Sequence, residues 1–300
     1  MLESVFSVEQ LRSSVIAVPP LARDTEGRVS GIENEKIIKH IEEGGVRSLL
    51  YGGNAIFYHI RLSEYASTLQ MLAEKSGDQT VVIPSIGPAH GLAADQVDVL
   101  RDFAFPTVML LPSRDIIDQQ GIARSVKQLA DELGKPIVLY IKFDQWLDPS
   151  LVRSLEADGA VSWIKYAVVR DNPADDDYLR EIMQVFPSER IISGIGEQPA
   201  IVHLHDFGVA GFTSGCVCIA PSKSMDMMHA IHHNELEQAE RIRKWFLPLE
   251  DLRNDINPIR VLHHAIQEAG IAQTGSMIPM LSDLPEQQVE QIRQAVSGMM

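Results

Sequence analysis

The feature that most constrains the fold of this chain is a series of short apolar runs rich in Val, Ile and Leu, bounded by Gly or Pro. These runs are Val15–Pro19, Ser48–Gly52, Thr80–Ile86, Thr107–Pro112, Pro136–Ile141, Val161–Val168, Arg190–Gly194 and Gly211–Val217. Continuous apolar runs of this length are typical of strands that are buried on both faces, as in parallel sheets. The sequence therefore predicts a parallel sheet of eight strands.

Amphipathic stretches with helical spacing lie between these runs. They are Ile32–Gly45, Ser63–Lys75, Ile116–Leu133, Pro149–Ala157, Ala174–Phe186 and the shorter Pro199–Phe207. Strands that alternate with helices predict an α/β fold, here a (β/α)8 TIM barrel of about 250 residues. The main competitor is a doubly wound sheet, which usually has fewer strands and a glycine-rich first turn that this sequence lacks.

Helical patterns alone follow the last apolar run. They cover Ser222–His233, Glu235–Asn254, Asn257–Glu268 and Pro285–Val296, and no low-complexity linker precedes them. We therefore predict a barrel over residues 1–220 and a C-terminal helical extension over residues 221–300 that packs on the barrel.

The charge balance excludes some classes of partner. The chain has 26 Lys and Arg against 41 Asp and Glu, a formal net charge of −15. Such a surface repels phosphate backbones, so we expect no binding to nucleic acid or to anionic membranes, although a local site can still take a small anion. The N-terminal MLESVFSVEQLRSS has no leader pattern, and no run approaches the roughly 18 apolar residues of a membrane span. Cys216 and Cys218 alternate in one apolar run and are not expected to pair. We expect a soluble, cytoplasmic protein.

The clearest candidate for chemistry is Lys165, because in a barrel of this kind function lies at the carboxyl ends of the strands. Strand alternation places Lys165 on the same face as Trp163. If that face is interior, burial lowers the pKa of the amine and frees its lone pair for attack on a carbonyl. The alternative is that Lys165 points outward between the helices.

The neighbouring strand carries Tyr140, whose phenol can relay protons to a substrate held at the strand ends. The alternative is an interior tyrosine that is hydrogen-bonded to the backbone. Lys142 is a rival for the amine role, but it lies at the end of the strand and is expected to be more exposed. Gly52, Gly53 and Asn54 form a turn whose N–H groups can converge on a carboxylate, or an ordinary turn.

Other polar groups predict no metal centre. The histidines at 203, 205, 232, 233, 263 and 264 lack metal-ligand spacing, so we expect structural or surface roles for them. The acidic run Asp175–Asp177 is expected on a solvated face at a helix start, where it complements the helix dipole.

With these residues in view, the chain resembles the dihydrodipicolinate synthase and N-acetylneuraminate lyase family of class I aldolases, from Ser14 to about Leu284. The similarity lies in Ile16–Pro19, Ile41–Val46, Leu139–Tyr140, Ile164–Lys165, Ser193–Gly194, Gly211–Ser214 and Asn257–Pro258.

The resemblance implies a role for each matched position. Lys165 corresponds to the lysine that forms a Schiff base with a pyruvate-like ketone, and Tyr140 to the tyrosine that shuttles protons around the imine. Gly53 and Asn54 stand where two threonines of a Gly-Thr-Thr-Gly-Glu motif bind the carboxylate of the keto acid. We also place Gly52, Gly194 and Ser214 in the substrate site.

The departures from the family pattern concern the second substrate. Gly53 lacks the hydroxyl of the relay threonine, and Arg114 stands where synthases have a tyrosine that reaches the partner chain. The segment after Tyr140 lacks the arginine that synthases use on a second carboxylate. Arg114 or Lys142 can supply a replacement positive contact for an acidic substrate.

These observations lead to three hypotheses. The first is a lyase, an aldolase or dehydratase, that acts on pyruvate or a 2-keto (deoxy sugar) acid through a covalent imine and needs neither metal nor cofactor. The second is a barrel that binds a keto acid without turning it over, and the third is an authentic 4-hydroxy-tetrahydrodipicolinate synthase. The resemblance also implies a homo-oligomer, a dimer or a tetramer.

Overall fold

A computed structural model describes residues 1–3 and 7–299; residues 4–6, which lie in the N-terminal stretch considered above, and residue 300 fall outside this description. Within the described residues, parallel strands close into a barrel in chain order, with the first strand paired to the eighth. The strands are β1 Ile16–Ala17, β2 Ser48–Tyr51, β3 Val81–Ile86, β4 Met109–Leu110, β5 Ile137–Ile141, β6 Val161–Tyr166, β7 Ile191–Ser193 and β8 Gly211–Ser214. The predicted (β/α)8 barrel is confirmed, and the doubly wound sheet is wrong.

Helices surround the barrel, and five of those that precede the C-terminal extension lie in predicted amphipathic stretches. The helices before the extension are α1 Val8–Ser13, α2 Gly31–Glu43, α3 Leu62–Lys75, α4 His90–Leu100, α5 Gln119–Leu133, α6 Pro149–Ala157 and α7 Asp177–Met183. Ser30, Asp118 and Asp148 cap α2, α5 and α6 by accepting backbone N–H groups of the first turn. The sequence patterns did not predict α4, which begins after Ala89 and has no side-chain cap.

Two predicted elements differ in kind from the structure. The stretch Pro199–Phe207 contains a single π-helical turn, Val202–Asp206, rather than an α-helix. The last apolar run ends as a strand at Ser214, because Cys216–Cys218 turns into a 3₁₀ helix. Both cysteines are buried and free, but they do not alternate along a strand.

The C-terminal helices are α8 Pro221–His232, α9 Leu236–Asp255, α10 Pro258–Glu268 and α11 Glu286–Ser297. Helix α8 packs against α2 and α9, and Phe246 and Leu249 of α9 are fully buried. From α10, the Nε2 of His263 donates a hydrogen bond of 2.9 Å to the carbonyl oxygen of Asn54, in the loop after β2. The helical extension thus supports a loop at the carboxyl end of the barrel, while a division at residue 220 stays a prediction. No helix within residues 1–3 and 7–299 is long and apolar enough to cross a membrane.

The register between β5 and β6 positions the candidate site. Ile137 pairs with Val161, but Val138 pairs with Trp163, so the register shifts by one residue at Ser162. Beyond this irregularity, Tyr140 lies directly opposite Lys165. Paired residues of neighbouring parallel strands point to the same face, so the phenol and the amine lie side by side.

Candidate active site

Lys165 lies on the interior face of the barrel and is 5% exposed. Its Nζ lies 4.5 Å from the centroid of the Tyr140 ring. The next residue, Tyr166, faces the other way and donates a hydrogen bond to Asp176 at the start of α7. The inward orientation is therefore correct, and among the described residues no carboxylate forms an ion pair with the amine.

The surroundings of Lys165 favour the neutral amine. Burial, followed by the charges of Lys142 and Arg253, lowers the pKa of Lys165 to about 7. Burial acts because an ammonium loses its hydration in a low-dielectric interior, and the two cations act by repulsion. At neutral pH a large fraction of the amine carries the free lone pair that attack on a ketone requires.

Tyr140 is buried, and burial together with the nearby Tyr58 raises the pKa of its phenol well above the ordinary value. The phenol therefore stays protonated at neutral pH and is available as a proton donor. No group in the described part of the chain hydrogen-bonds its hydroxyl, so the alternative of a backbone-bonded structural tyrosine is wrong.

Two cations, Lys142 and Arg114, were considered as contacts for an acidic substrate, and only the charge of Lys142 affects the pKa of Lys165. Lys142 is exposed, as expected, but desolvation by the atoms around its ammonium lowers its pKa. Its Nζ lies 6.0 Å from the centroid of the Tyr58 ring, and its charge acts on Lys165. Arg114 is also exposed and lies over the ring of Phe143, at 5.3 Å. It is not among the groups that shift the pKa of Lys165.

The turn after β2 is held closely against its neighbours. A Cβ atom on Gly52 would lie 2.8 Å from Cε of Met109, so this position needs glycine for the close approach. The side chain of Asn54 donates a hydrogen bond of 2.8 Å to the carbonyl oxygen of Val18, which fixes the turn to the end of β1. Within the described residues, no acceptor takes the N–H groups of Gly53, Asn54 and Ala55.

Gly194 and Ser214 have different surroundings although both end a barrel strand. Gly194 packs directly on Lys165, because a Cβ there would lie 3.0 Å from Cγ of Lys165 and 2.7 Å from Cβ of Ala167. Ser214 is 1% exposed and donates a hydrogen bond of 2.7 Å to Glu197. The hydroxyl of Ser214 is therefore engaged in a buried network, while Gly194 shapes the wall beside the amine.

That network is a buried ionic cluster that the sequence patterns did not reveal. Donor atoms of Glu197, Cys216 and Glu250 lie within 4.8 Å of one another, a spacing that can hold a metal ion. The guanidinium of Arg253 donates a hydrogen bond of 2.7 Å to Glu250 and lies 3.8 Å from Sγ of Cys216, so a positive charge already occupies the cluster. Burial and the neighbouring Glu250 raise the pKa of Glu197, which also accepts a hydrogen bond of 2.6 Å from Ser224. A guanidinium among these donors fits a self-neutralised structural network better than a cation site.

The expectation that the acidic run Asp175–Asp177 lies on a solvated face is wrong for one of its residues. Asp176 is fully buried instead of solvated, because it caps α7 and accepts hydrogen bonds from Tyr166 and Arg170. Sequence alone does not distinguish it from its solvent-facing neighbour Asp177. The histidines fit their predicted structural role where they are buried, as His203 shares a hydrogen bond of 2.8 Å with Ser193.

Tyr58 is the residue at the barrel mouth that sequence reasoning missed. It lies in a 3₁₀ helix, Phe57–His59, which follows Ile56 in a left-handed conformation with φ of 57°. Its Cε2 lies 3.9 Å from where a Cβ on Gly53 would stand. An unusual segment, Ala55–Tyr58, at a position where the family has Gly-Glu was the only signal in the sequence.

Two cavities flank the barrel mouth. One of about 430 Å³ lies at the ends of β6 and β7 and is lined by Arg170, Ile195 and Arg243 among others. Another of about 970 Å³ lies at the ends of β3 to β5 and includes Leu111 and Trp146 in its wall. Neither cavity is lined by Lys165 or Tyr140.

Comparison with known proteins gives a consistent picture of the fold. No protein-family model matches the chain, and no curated protein has a significantly similar sequence. Among solved structures, dihydrodipicolinate synthase from Bacillus clausii superposes with a TM-score of 0.85 at 20% identity, over 97% of this chain and 99% of that one. Ruminococcus gnavus sialic acid aldolase superposes with a TM-score of 0.85 at 14% identity, over 96% and 97% of the two chains. Its catalytic lysine mutant is similar at 13% identity, with a TM-score of 0.85 and coverage of 98% and 97%. The resemblance predicted from short motifs is thus confirmed as a shared fold along almost the whole length of the chain.

Proposed function

We propose that this protein is a Schiff-base-forming lyase, an aldolase or dehydratase, that acts on pyruvate or a related 2-keto acid. The observation that carries the proposal is the buried Lys165 amine, whose pKa is lowered to about 7 and which lies 4.5 Å from the Tyr140 ring. The likeness to an aldolase for which a catalytic lysine mutant exists supports the same reading.

In the proposed reaction Lys165 attacks the ketone and forms a protonated imine after loss of water. Tyr140 donates and accepts the protons that these steps exchange. The imine withdraws electrons from the neighbouring carbon, so a carbon–carbon or carbon–oxygen bond near it can be made or broken. The free N–H groups of Gly53, Asn54 and Ala55 are suited to the carboxylate of the keto acid, in place of the Asn54 side chain, which is bonded to Val18.

The proposed substrate carries a second polar or anionic group that contacts Lys142. This lysine projects from the end of β5, two residues beyond Tyr140, and has no carboxylate partner among the described residues. When desolvation has lowered the pKa of a cation, pairing with an anion stabilises the charged form. Lys142 is therefore a better candidate than Arg114 for the contact that the missing family arginine would make.

Trapping with borohydride tests the proposal. We expect incubation with pyruvate and sodium borohydride to leave a covalent adduct on the peptide that contains Lys165. Lys165→Arg should abolish the adduct, whereas the matched variant Lys142→Arg should retain it. An adduct on Lys142 with none on Lys165, or no adduct with any keto acid of a panel, would contradict the proposal.

A barrel that binds keto acids without turnover remains a second candidate, and one observation favours it. Asn54 and Ser214, two polar residues predicted to contact the substrate, instead hydrogen-bond within the protein. Thermal stabilisation by keto acids, without retro-aldol or dehydration activity, would favour this candidate. Authentic dihydrodipicolinate synthesis is the third, and we expect the chain to fail to complement a lysine auxotroph.

A further inference from the structure

We propose that the Tyr58 hydroxyl is a second proton-relay group of this site, which passes protons between Tyr140 and water. The inference rests on the proposed Schiff-base chemistry and adds a residue of this chain to it.

Tyr58 lies close to the proposed reacting groups at the barrel mouth. Its Cε2 lies 3.9 Å from where a Cβ on Gly53 would stand, and its ring centroid lies 6.0 Å from Nζ of Lys142. Lys142 follows Tyr140 by two residues at the end of β5, so the Tyr58 ring near its Nζ lies on the same side of the barrel mouth as Tyr140. Lys165 in turn lies over the Tyr140 ring. The groups therefore extend from the buried amine, past Tyr140, to the partly buried Tyr58 at the barrel mouth.

The chain has six tyrosines, and the surroundings of their hydroxyls differ. Tyr65, Tyr166 and Tyr178 each donate a hydrogen bond from the hydroxyl to a protein acceptor: Ser85, Asp176 and Leu147. The hydroxyl of Tyr51 is sealed in the interior.

Tyr58 and Tyr140 differ from these four. Within residues 1–3 and 7–299, their hydroxyls neither bond to the protein nor are closed off from solvent. Because the Tyr58 hydroxyl forms no hydrogen bond that stabilises the fold, it is free to transfer protons at the barrel mouth.

Each proton in the proposed reaction has a donor and an acceptor. Lys165 attacks the ketone, and one nitrogen proton moves to the former carbonyl oxygen through Tyr140, which leaves a neutral carbinolamine. Its hydroxyl departs as water when Tyr140 donates its proton, which leaves an iminium and a tyrosinate. Tyr58 then returns a proton to Tyr140 through an intervening water molecule, since the two hydroxyls do not hydrogen-bond to each other, and recovers a proton from solvent. To form the enamine, Tyr140 first passes its proton outward to solvent by way of Tyr58, and the resulting tyrosinate then takes a proton from the carbon next to the iminium.

Gly53 lies beside the proposed relay. A side-chain hydroxyl is absent there, and the Tyr58 ring lies against the vacated side of the turn. The phenol thus supplies, from five residues later in the same chain, a hydroxyl that the turn itself lacks.

Exchange of the methyl protons of pyruvate with deuterated water, followed by NMR, measures this relay directly. We expect Tyr58→Phe to slow exchange by about 100-fold or more, the range typical of a lost acid–base group. The adduct on Lys165 should still form with borohydride on long incubation. The matched control is Tyr65→Phe, which removes a hydroxyl bonded to Ser85 in a ring that packs edge-on against Phe57. It should retain exchange within a few-fold.

A structural effect is separated from a relay effect by rescue. Added imidazole should restore exchange in Tyr58→Phe and leave the wild type unchanged. Tyr58→His should exchange faster than Tyr58→Gln, because the two side chains are similar in size but only the imidazole transfers protons. Wild-type exchange in Tyr58→Phe, or equal rates for the His and Gln variants, would overturn the inference. Absence of exchange and of the Lys165 adduct in the wild type would instead overturn the proposed function.

Discussion

At the scale of single residues, the character of this site comes from one amine that the protein holds away from its own acidic surface. The chain has a net charge of −15, yet the charges that act most on Lys165 are the positive ones of Lys142 and Arg253. Burial removes hydration from the ammonium, and these two cations repel it. Both effects favour the neutral amine, so nucleophilicity at neutral pH follows from the position of Lys165 rather than from any added group.

A pH profile tests this account of Lys165. The ammonium does not attack a ketone, so the initial rate of borohydride trapping should rise with pH through a midpoint near 7 and level off above it. Lys142→Met removes one repelling charge, which raises the pKa of Lys165 and moves the midpoint to higher pH.

The control for that profile is Lys36→Met, which removes a surface lysine paired with Glu33 on α2. Its midpoint should equal that of the wild type. A midpoint near the ordinary lysine value in the wild type would show that burial does not hold the amine neutral.

Residue-level patterns predicted the pair Lys165 and Tyr140, because strand alternation and neighbouring strand ends are local properties. They did not predict the partners of Asn54 and Ser214, since these lie 36 and 17 residues away in sequence. They also missed Tyr58, whose position depends on a left-handed residue at Ile56 that no local pattern signals.

At the scale of elements, one register shift determines what faces what. Without the register shift at Ser162, continuous pairing from Ile137 with Val161 would place Tyr140 opposite Ile164 instead of Lys165. The order of strands and helices was predictable from apolar runs, because parallel strands are buried on both faces. The register between strands was not predictable, since a uniformly apolar run does not show which of its residues pair with those of the next strand. Helix α4 was missed because it has no side-chain cap to mark its start.

Gly194→Ala tests how closely β7 is held against β6. The added methyl would lie 2.7 Å from Cβ of Ala167, 2.9 Å from the carbonyl oxygen of Tyr166 and 3.0 Å from Cγ of Lys165. Such overpacking costs about 1–3 kcal/mol in the free energy of unfolding and displaces the lysine stem. We expect urea denaturation to show this loss and trapping of Lys165 to slow by about tenfold or more.

Gly91→Ala provides the matched substitution. It lies in α4 with nothing within 4 Å of an added Cβ, so it should leave trapping unchanged and stabilise the fold by about 0.5–1 kcal/mol. Equal trapping rates in the two variants would show that the methyl group added at Gly194 does not displace Lys165.

At the scale of the whole molecule, the barrel and the C-terminal helices meet in a buried ionic cluster. Glu197 follows β7, Cys216 follows β8, and Glu250 and Arg253 belong to α9. Glu250 accepts from both Cys216 and Arg253, while Glu197 holds Ser214 and Ser224. A buried pair of carboxylates with a single guanidinium favours one protonated carboxyl, because two negative charges near each other in a low dielectric repel. The protonation state of this cluster therefore affects the contacts that hold α9 against the barrel.

Glu197→Gln should therefore change how stability depends on pH. In the folded protein, burial and Glu250 raise the pKa of Glu197 above its ordinary value of 4.5. The folded state then binds more protons than the unfolded state, so the free energy of unfolding falls as pH rises from about 4.5 toward the raised pKa. Each unit of the shift contributes about 1.4 kcal/mol to that fall. Glutamine keeps the shape and one acceptor but cannot ionise, so urea denaturation between pH 5 and pH 8 should show a smaller decline than in the wild type. The exposed Glu237→Gln should keep the wild-type slope, and identical slopes for all three proteins would mean that Glu197 is already ionised in the fold.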